Sequence, residues 1–213
     1  MENKINSELK KYIEENIFKV YNLNEEAHGI NHIKTVLNRA FELSKNIENI
    51  NMDILYTAVT YHDIADHIDR ENHERLSAKW MMDDKEIDKF FTIEEKNIIK
   101  EAIEDHRASN KNVPRNIYGK ILSSADRNID VDTYLKRSYK YGLAHYQNLD
   151  QEEQIQRVYE HSIKKFGKNG YAVNKFFVKD DKYSKYLEEL QKLIDNKEEF
   201  VKRVKKVNKI DYK

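Results

Sequence analysis

The chain of 213 residues has no cysteine, one proline and five glycines. The missing cysteine excludes disulfides and thiolate metal sites together, and it fits a reducing compartment. So few turn-formers beside so many Lys, Glu, Leu and Ile point to an all-α protein. A surplus of one charge is also missing, because 38 Lys and Arg balance 38 Asp and Glu. A general nucleic-acid binder would carry a basic excess, so that class is set aside. No apolar run is long enough to span a bilayer, and the opening MENKINSELKKYIEENIF is charged throughout, without a signal-peptide core. The expectation is a soluble, cytoplasmic protein with no membrane partner. There is no repeat, linker or low-complexity segment. Residues 1–213 therefore read as a single domain of about eight to ten helices, with homo-oligomerisation left open.

What is present is helical periodicity. Ile5, Leu9, Tyr12, Ile13 and Ile17 predict a first helix over residues 5–20, and Ile33, Val36, Leu37, Ala40 and Leu43 form one face of a second. Residues 51–64 are the most apolar helix of the set. His73 opens a fourth, with Leu76, Trp80 and Met81 inward. Thr92 and Glu95 form a capping-box pattern at the start of a fifth. The segment ASNKNVPRN is a loop, and residues 117–142 resume helix in two pieces. Another helix covers DQEEQIQRVYEHSIKKF. The tail from Tyr183 to about Val207 reads as one amphipathic surface helix.

The stretch AVTYHDIADH, residues 58–67, raises the chemical question. An apolar helix ends in an imidazole and a carboxylate, and burying such groups unsatisfied costs about 2–7 kcal/mol each. His62 and Asp63 either bond each other and the backbone or meet something charged. Elsewhere His32 enters the apolar line of the second helix, with His28 one turn before it. His106 follows the stripe Ile99, Ala102 and Ile103, and Asp126 follows Ile121, Leu122 and Ala125. Imidazole and carboxylate without sulfur suit a divalent cation such as Mn, Mg, Co, Ni, Fe or Zn. Such an ion offsets the burial cost, lowers the pKa of water and polarises a phosphoryl oxygen.

The series HGINHIKTV, YHDIAD and SSADRNID, in that order, resembles the HD superfamily of metal-dependent phosphohydrolases, named for the adjacent His-Asp pair. The resemblance covers residues 28 to about 130. It implies a compact multi-helix HD-domain fold, with a core over about 25–130, an N-terminal helix and a C-terminal helical extension. It also implies metal ligation by His32, His62, Asp63 and Asp126, with His32 preferred to His28 as the first ligand. His73 and His106 lie where some HD proteins hold a second metal, and His28 is a further candidate for that metal or for a phosphate contact. Asp66, alongside Asp63, is a candidate for proton transfer or water orientation. The HD-x-x-E-D pattern of alarmone hydrolases is half matched, by Asp66 followed by His67, and the Gly-Tyr-Pro signature of cyclic-dinucleotide phosphodiesterases is absent.

What remains resembles small stand-alone bacterial HD hydrolases. The implied reaction is hydrolysis of a phosphate ester or anhydride in a small nucleotide-like substrate by metal-activated water. Arg127 and Lys79 are candidate phosphate contacts, because Arg presents bidentate donors and Lys a point charge. A di-iron oxygenase on the same scaffold and a non-catalytic nucleotide-binding regulatory module are the alternatives. His67, His145 and His161 lack a constellation. Tyr118, Tyr134, Tyr139, Tyr141 and Tyr146 read as core-edge packing more readily than as base-stacking platforms.

Overall fold

The computed structural model describes residues 4–25, 28–174 and 177–210. These residues form helices and turns, with no strand among them. The fold is all-α, and no helix among the described residues is long and apolar enough to cross a membrane. The chain divides into two compact units, Met1–Asp126 with Phe177–Lys179, and Arg127–Phe176 with Asp180–Lys213. The reading of residues 1–213 as one domain remains a proposal beside this division.

The first unit opens with α1 (Ser7–Tyr12), a π turn (Ile13–Ile17), α2 (Phe18–Val20) and a 3₁₀ turn (Tyr21–Leu23). Leu9, Ile13, Ile17 and Tyr21 are all buried. A four-residue spacing drifts about 40° per step on a regular α-helix, and the wider π turn takes up part of that drift. The helix α3 (Ile30–Ser44) buries Ile33, Val36, Leu37, Ala40 and Leu43, the face expected from the sequence. Asn51 caps α4 (Met52–Tyr61) by accepting the N–H groups of Asp53 and Ile54, and every residue from Ile54 to Tyr61 is buried. A helix apolar on all sides belongs in the centre of a core. Next come α5 (His73–Asp83), a 3₁₀ turn (Ile87–Lys89) and α6 (Ile93–Glu104), the last starting with the full Thr92–Glu95 capping box. The helix α7 (Ile117–Ala125) packs on α3, α4 and α6. Gly119 permits its approach to α6, because a Cβ there would stand 3.3 Å from the Ala102 backbone.

The second unit contains α8 (Val131–His145), α9 (Gln151–Phe166), α10 (Asp181–Asp195) and α11 (Lys197–Asn208). The single helix expected from Tyr183 to about Val207 is in fact two. Asn196 leaves helical geometry at φ −122° and ψ 87°, and its side chain accepts the Glu199 N–H to start α11. Asn side chains compete with helical backbone bonding in this way. Leu190, Ile194, Phe200 and Val204 are buried across the break. Tyr134, Phe166 and Tyr186 meet edge to face in this unit's core, with centroids 5.2–6.5 Å apart.

Candidate metal centre

The central pair sits at the C-terminal end of α4. His62 is the first residue past the helix, and the chain then turns over Asp63–Ile68. That turn is braced from three sides. Asn24 Nδ2 donates to the carbonyls of Asp63 at 2.8 Å and His28 at 3.1 Å, while its Oδ1 accepts the His67 N–H. Ser77 Oγ accepts the Ala65 N–H, and the Tyr21 hydroxyl donates to the Thr60 carbonyl. The pair is therefore held by the ends of elements far apart in sequence.

Around it the first unit gathers four more polar side chains, His32, His73, His106 and Asp126. Asp63 Oδ2 lies 3.2 Å from His62 Nε2 and 3.5 Å from His32 Nε2. The other oxygen, Oδ1, lies 3.1 Å from His73 Nε2 and 3.4 Å from His106 Nε2. Asp126 Oδ1 is 3.2 Å from His32 Nε2. Ligand-type atoms of three sets, His32–His62–Asp63, His62–His106–Asp126 and Asp63–His73–His106, each fall within 4.8 Å of one another. The centre draws on α3, α4, α5 and the ends of α6 and α7, all from one apolar core.

The imidazoles are oriented alike. His62 Nδ1 donates to the Val59 carbonyl at 2.8 Å, His73 Nδ1 to Arg70 at 2.8 Å, and His106 Nδ1 to Ile103 at 2.6 Å. A carbonyl only accepts, so each Nδ1 carries a proton and each Nε2 faces the cluster. Tying one ring nitrogen to the backbone is how metal-binding histidines are commonly fixed. The Nε2 atoms of His32 and His62 are buried and form no hydrogen bond, although carboxylate oxygens stand close by. Acceptors converging at about 3 Å without donor alignment call for a positive charge among them.

The electrostatics agree. Burial drives the Asp63 carboxyl upward, but the charge of His62 and the contacts from His106, His32 and His62 outweigh it and hold it well below the usual range. The same contest, won by His32, lowers Asp126. Burial lowers His32, yet the Asp126 and Asp63 carboxylates raise it to about 9. His73 is raised by Asp63 against burial, whereas burial prevails at His106 and lowers it. The residues present fit a divalent cation, since the centre combines ionised carboxylates with backbone-oriented imidazoles and no sulfur.

The remaining candidates lie at different places. His28 is beside the cluster, with its ring 5.6 Å from that of His32 and its Nδ1 3.2 Å from Asp66 Oδ2. Asp66 Oδ1 is buried without a hydrogen bond. Burial raises the Asp66 carboxyl, and the His28 contact more than reverses this. Lys79 pairs with Asp83 and lines a groove of about 600 Å³ with Tyr12, Leu76 and Trp80. It lies about 120° around α5 from His73. Arg127 belongs to the second unit, where burial pushes the Tyr183 hydroxyl up to about 12 and the Arg127 charge opposes that rise in part. Sequence reasoning missed Arg70 and Asn24. The i,i+4 spacing of Asp66 and Arg70 is a signal that marks the first of these.

Residues 29–128 match the family model of the HD domain. That stretch of the chain is an HD domain, and it contains His32, His62, Asp63, His73, His106 and Asp126. Among solved structures the chain is similar to a predicted HD superfamily hydrolase from an uncultured Thermotogales bacterium, at 22% identity and a TM-score of 0.50. The match covers 88% of this chain and 90% of that one. At that identity the likeness concerns the fold. No curated protein matches the chain.

Proposed function

We propose that the chain is a metal-dependent phosphohydrolase acting on a phosphate ester or anhydride of a small nucleotide-like molecule. The observation that carries this reading is the placement of Asp63, with one oxygen toward His32 and His62 and the other toward His73 and His106. A carboxylate so placed would be able to serve two cations. His32, His62, Asp63 and Asp126 would hold the first, and His73 and His106 would share Asp63 with the second. When bound, such ions lower the pKa of water and polarise a phosphoryl oxygen. The protein's own part is to fix the imidazoles through the Val59, Arg70 and Ile103 carbonyls and to keep both carboxylates ionised. Asp66, with its buried Oδ1, would orient the attacking water or accept its proton. Lys79 is not retained as a phosphate contact, because it lies about 120° around α5 from His73.

The test is a panel of nucleotides and phosphomonoesters with added Mn, Co, Ni or Mg, comparing wild type with Asp63→Ala. Turnover confined to the wild type supports the reading, and equal turnover rejects it. The same two-sided Asp63 also suits a di-iron oxygenase. That alternative requires about two irons per chain and oxygen consumption, and phosphate release by iron-free protein excludes it. Nucleotide binding without turnover under every metal would instead favour a regulatory module.

A further inference from the structure

Exposure is graded across the centre. The side chains of His62 and His106 are 0% and 2% exposed, those of His32 and His28 are 11% and 18%, and that of Arg70 reaches 42%. The deep side thus lies at α4 and α6, while His28, Arg70 and Asp126, whose side chain is 20% exposed, form a rim toward solvent.

Arg70 is held at that rim. Its Nη1 lies 3.0 Å from His28 Nδ1 and 3.5 Å from Asp66 Oδ2. Its carbonyl accepts the His73 Nδ1–H, which ties its backbone to the centre. Other cations of the first unit are engaged by carboxylates away from the centre. Arg107 approaches Glu74 at 3.1 Å, Arg115 approaches Asp105 at 2.9 Å, and Lys79 bonds Asp83. A guanidinium offers five donors in a planar fork suited to phosphate. At this rim it adds a fixed positive charge beside a centre built for a phosphoryl group.

We infer that Arg70, positioned by His28 and Asp66, binds a second anionic group of the substrate, a phosphate next to the scissile one. The inference rests on the phosphohydrolase reading above and narrows its substrate class to molecules carrying at least two adjacent phosphates. A lone phosphomonoester would leave this rim contact unused.

The experiment is calorimetric titration of the magnesium-loaded full chain with methylenebisphosphonate and, separately, inorganic phosphate. Arg70→Ala should weaken bisphosphonate binding at least tenfold, change phosphate binding less than twofold and leave metal content unaltered. Arg70→Lys should recover part of the loss. Equal weakening of both ligands, no weakening of either, or failure of the wild type to bind bisphosphonate overturns the inference. The hydrolysis comparison with Asp63→Ala is read independently. Loss of that reading would show as absent turnover, whereas loss of this one shows as a bisphosphonate affinity indifferent to Arg70.

Discussion

His73 and His106 face each other Nε2 to Nε2 at 3.2 Å, and both rings give their Nδ1–H to a backbone carbonyl. Two bare lone pairs at that distance repel, so a proton or a cation has to sit with them. Metal analysis of purified protein should therefore give about two ions per wild-type chain. His106→Ala should hold about one and Asp63→Ala almost none, because second-site and bridging ligands are lost in turn. Full loading of His106→Ala would remove the second site from the proposal.

Asp66→Asn keeps the size of the side chain and removes its charge. Turnover on the best substrate of the panel should fall by about 10²–10⁴, the range for loss of a positioned proton-transfer group. Metal content should stay at the wild-type value. Unchanged kcat with intact loading would show that Asp66 serves only to hold His28 and Arg70.

In the second unit, burial, helped by Lys165, Arg157 and Lys164, pushes His161 down from 6.5 to about 4. The folded unit therefore holds this imidazole neutral between those values, where the unfolded chain binds a proton. The stability it supports is fully present above pH 6.5 and is lost as pH falls toward 4. Solvent screening around the partly exposed ring limits the effect to about 1–2 kcal/mol. Denaturant unfolding at pH 7 and pH 4.5 should show a smaller acid loss for His161→Gln than for wild type. Identical losses would show that His161 takes no part in the acid sensitivity.

Thr92 accepts the Glu95 N–H at 3.2 Å while Glu95 accepts the Thr92 N–H at 2.9 Å. Thr92→Ala should cost about 1 kcal/mol, read as a lower denaturant midpoint at unchanged m-value.

The capping box is legible because it is a local pattern whose two partners stand three residues apart. So is the buried face of α3, where apolar spacing alone carries the signal. The set His32, His62, Asp63 and Asp126 is what the resemblance to the HD series implies, and each of the four also stands on or at the end of an apolar face, where a polar side chain demands a partner. Arg70 and Asn24 were not anticipated. Arg70 meets His28 across 42 positions, and Asn24 bonds Asp63 and His67 across 39 and 43. Contacts at that separation have no local spacing to betray them, and only the i,i+4 step from Asp66 marks Arg70. The break at Asn196 is hidden in the sequence because the apolar pattern continues through it. The π turn at Ile13–Ile17 likewise leaves only a four-residue rhythm that an ordinary helix also tolerates.

Because α4 is enclosed on every side, the His-Asp pair is anchored in the least adjustable part of the first unit. Substitutions there disturb folding and chemistry together, whereas an exchange at Arg70 or His28 costs the fold little. Such a division lets one fixed reactive centre be retuned for different molecules by changing only its outermost ring of side chains.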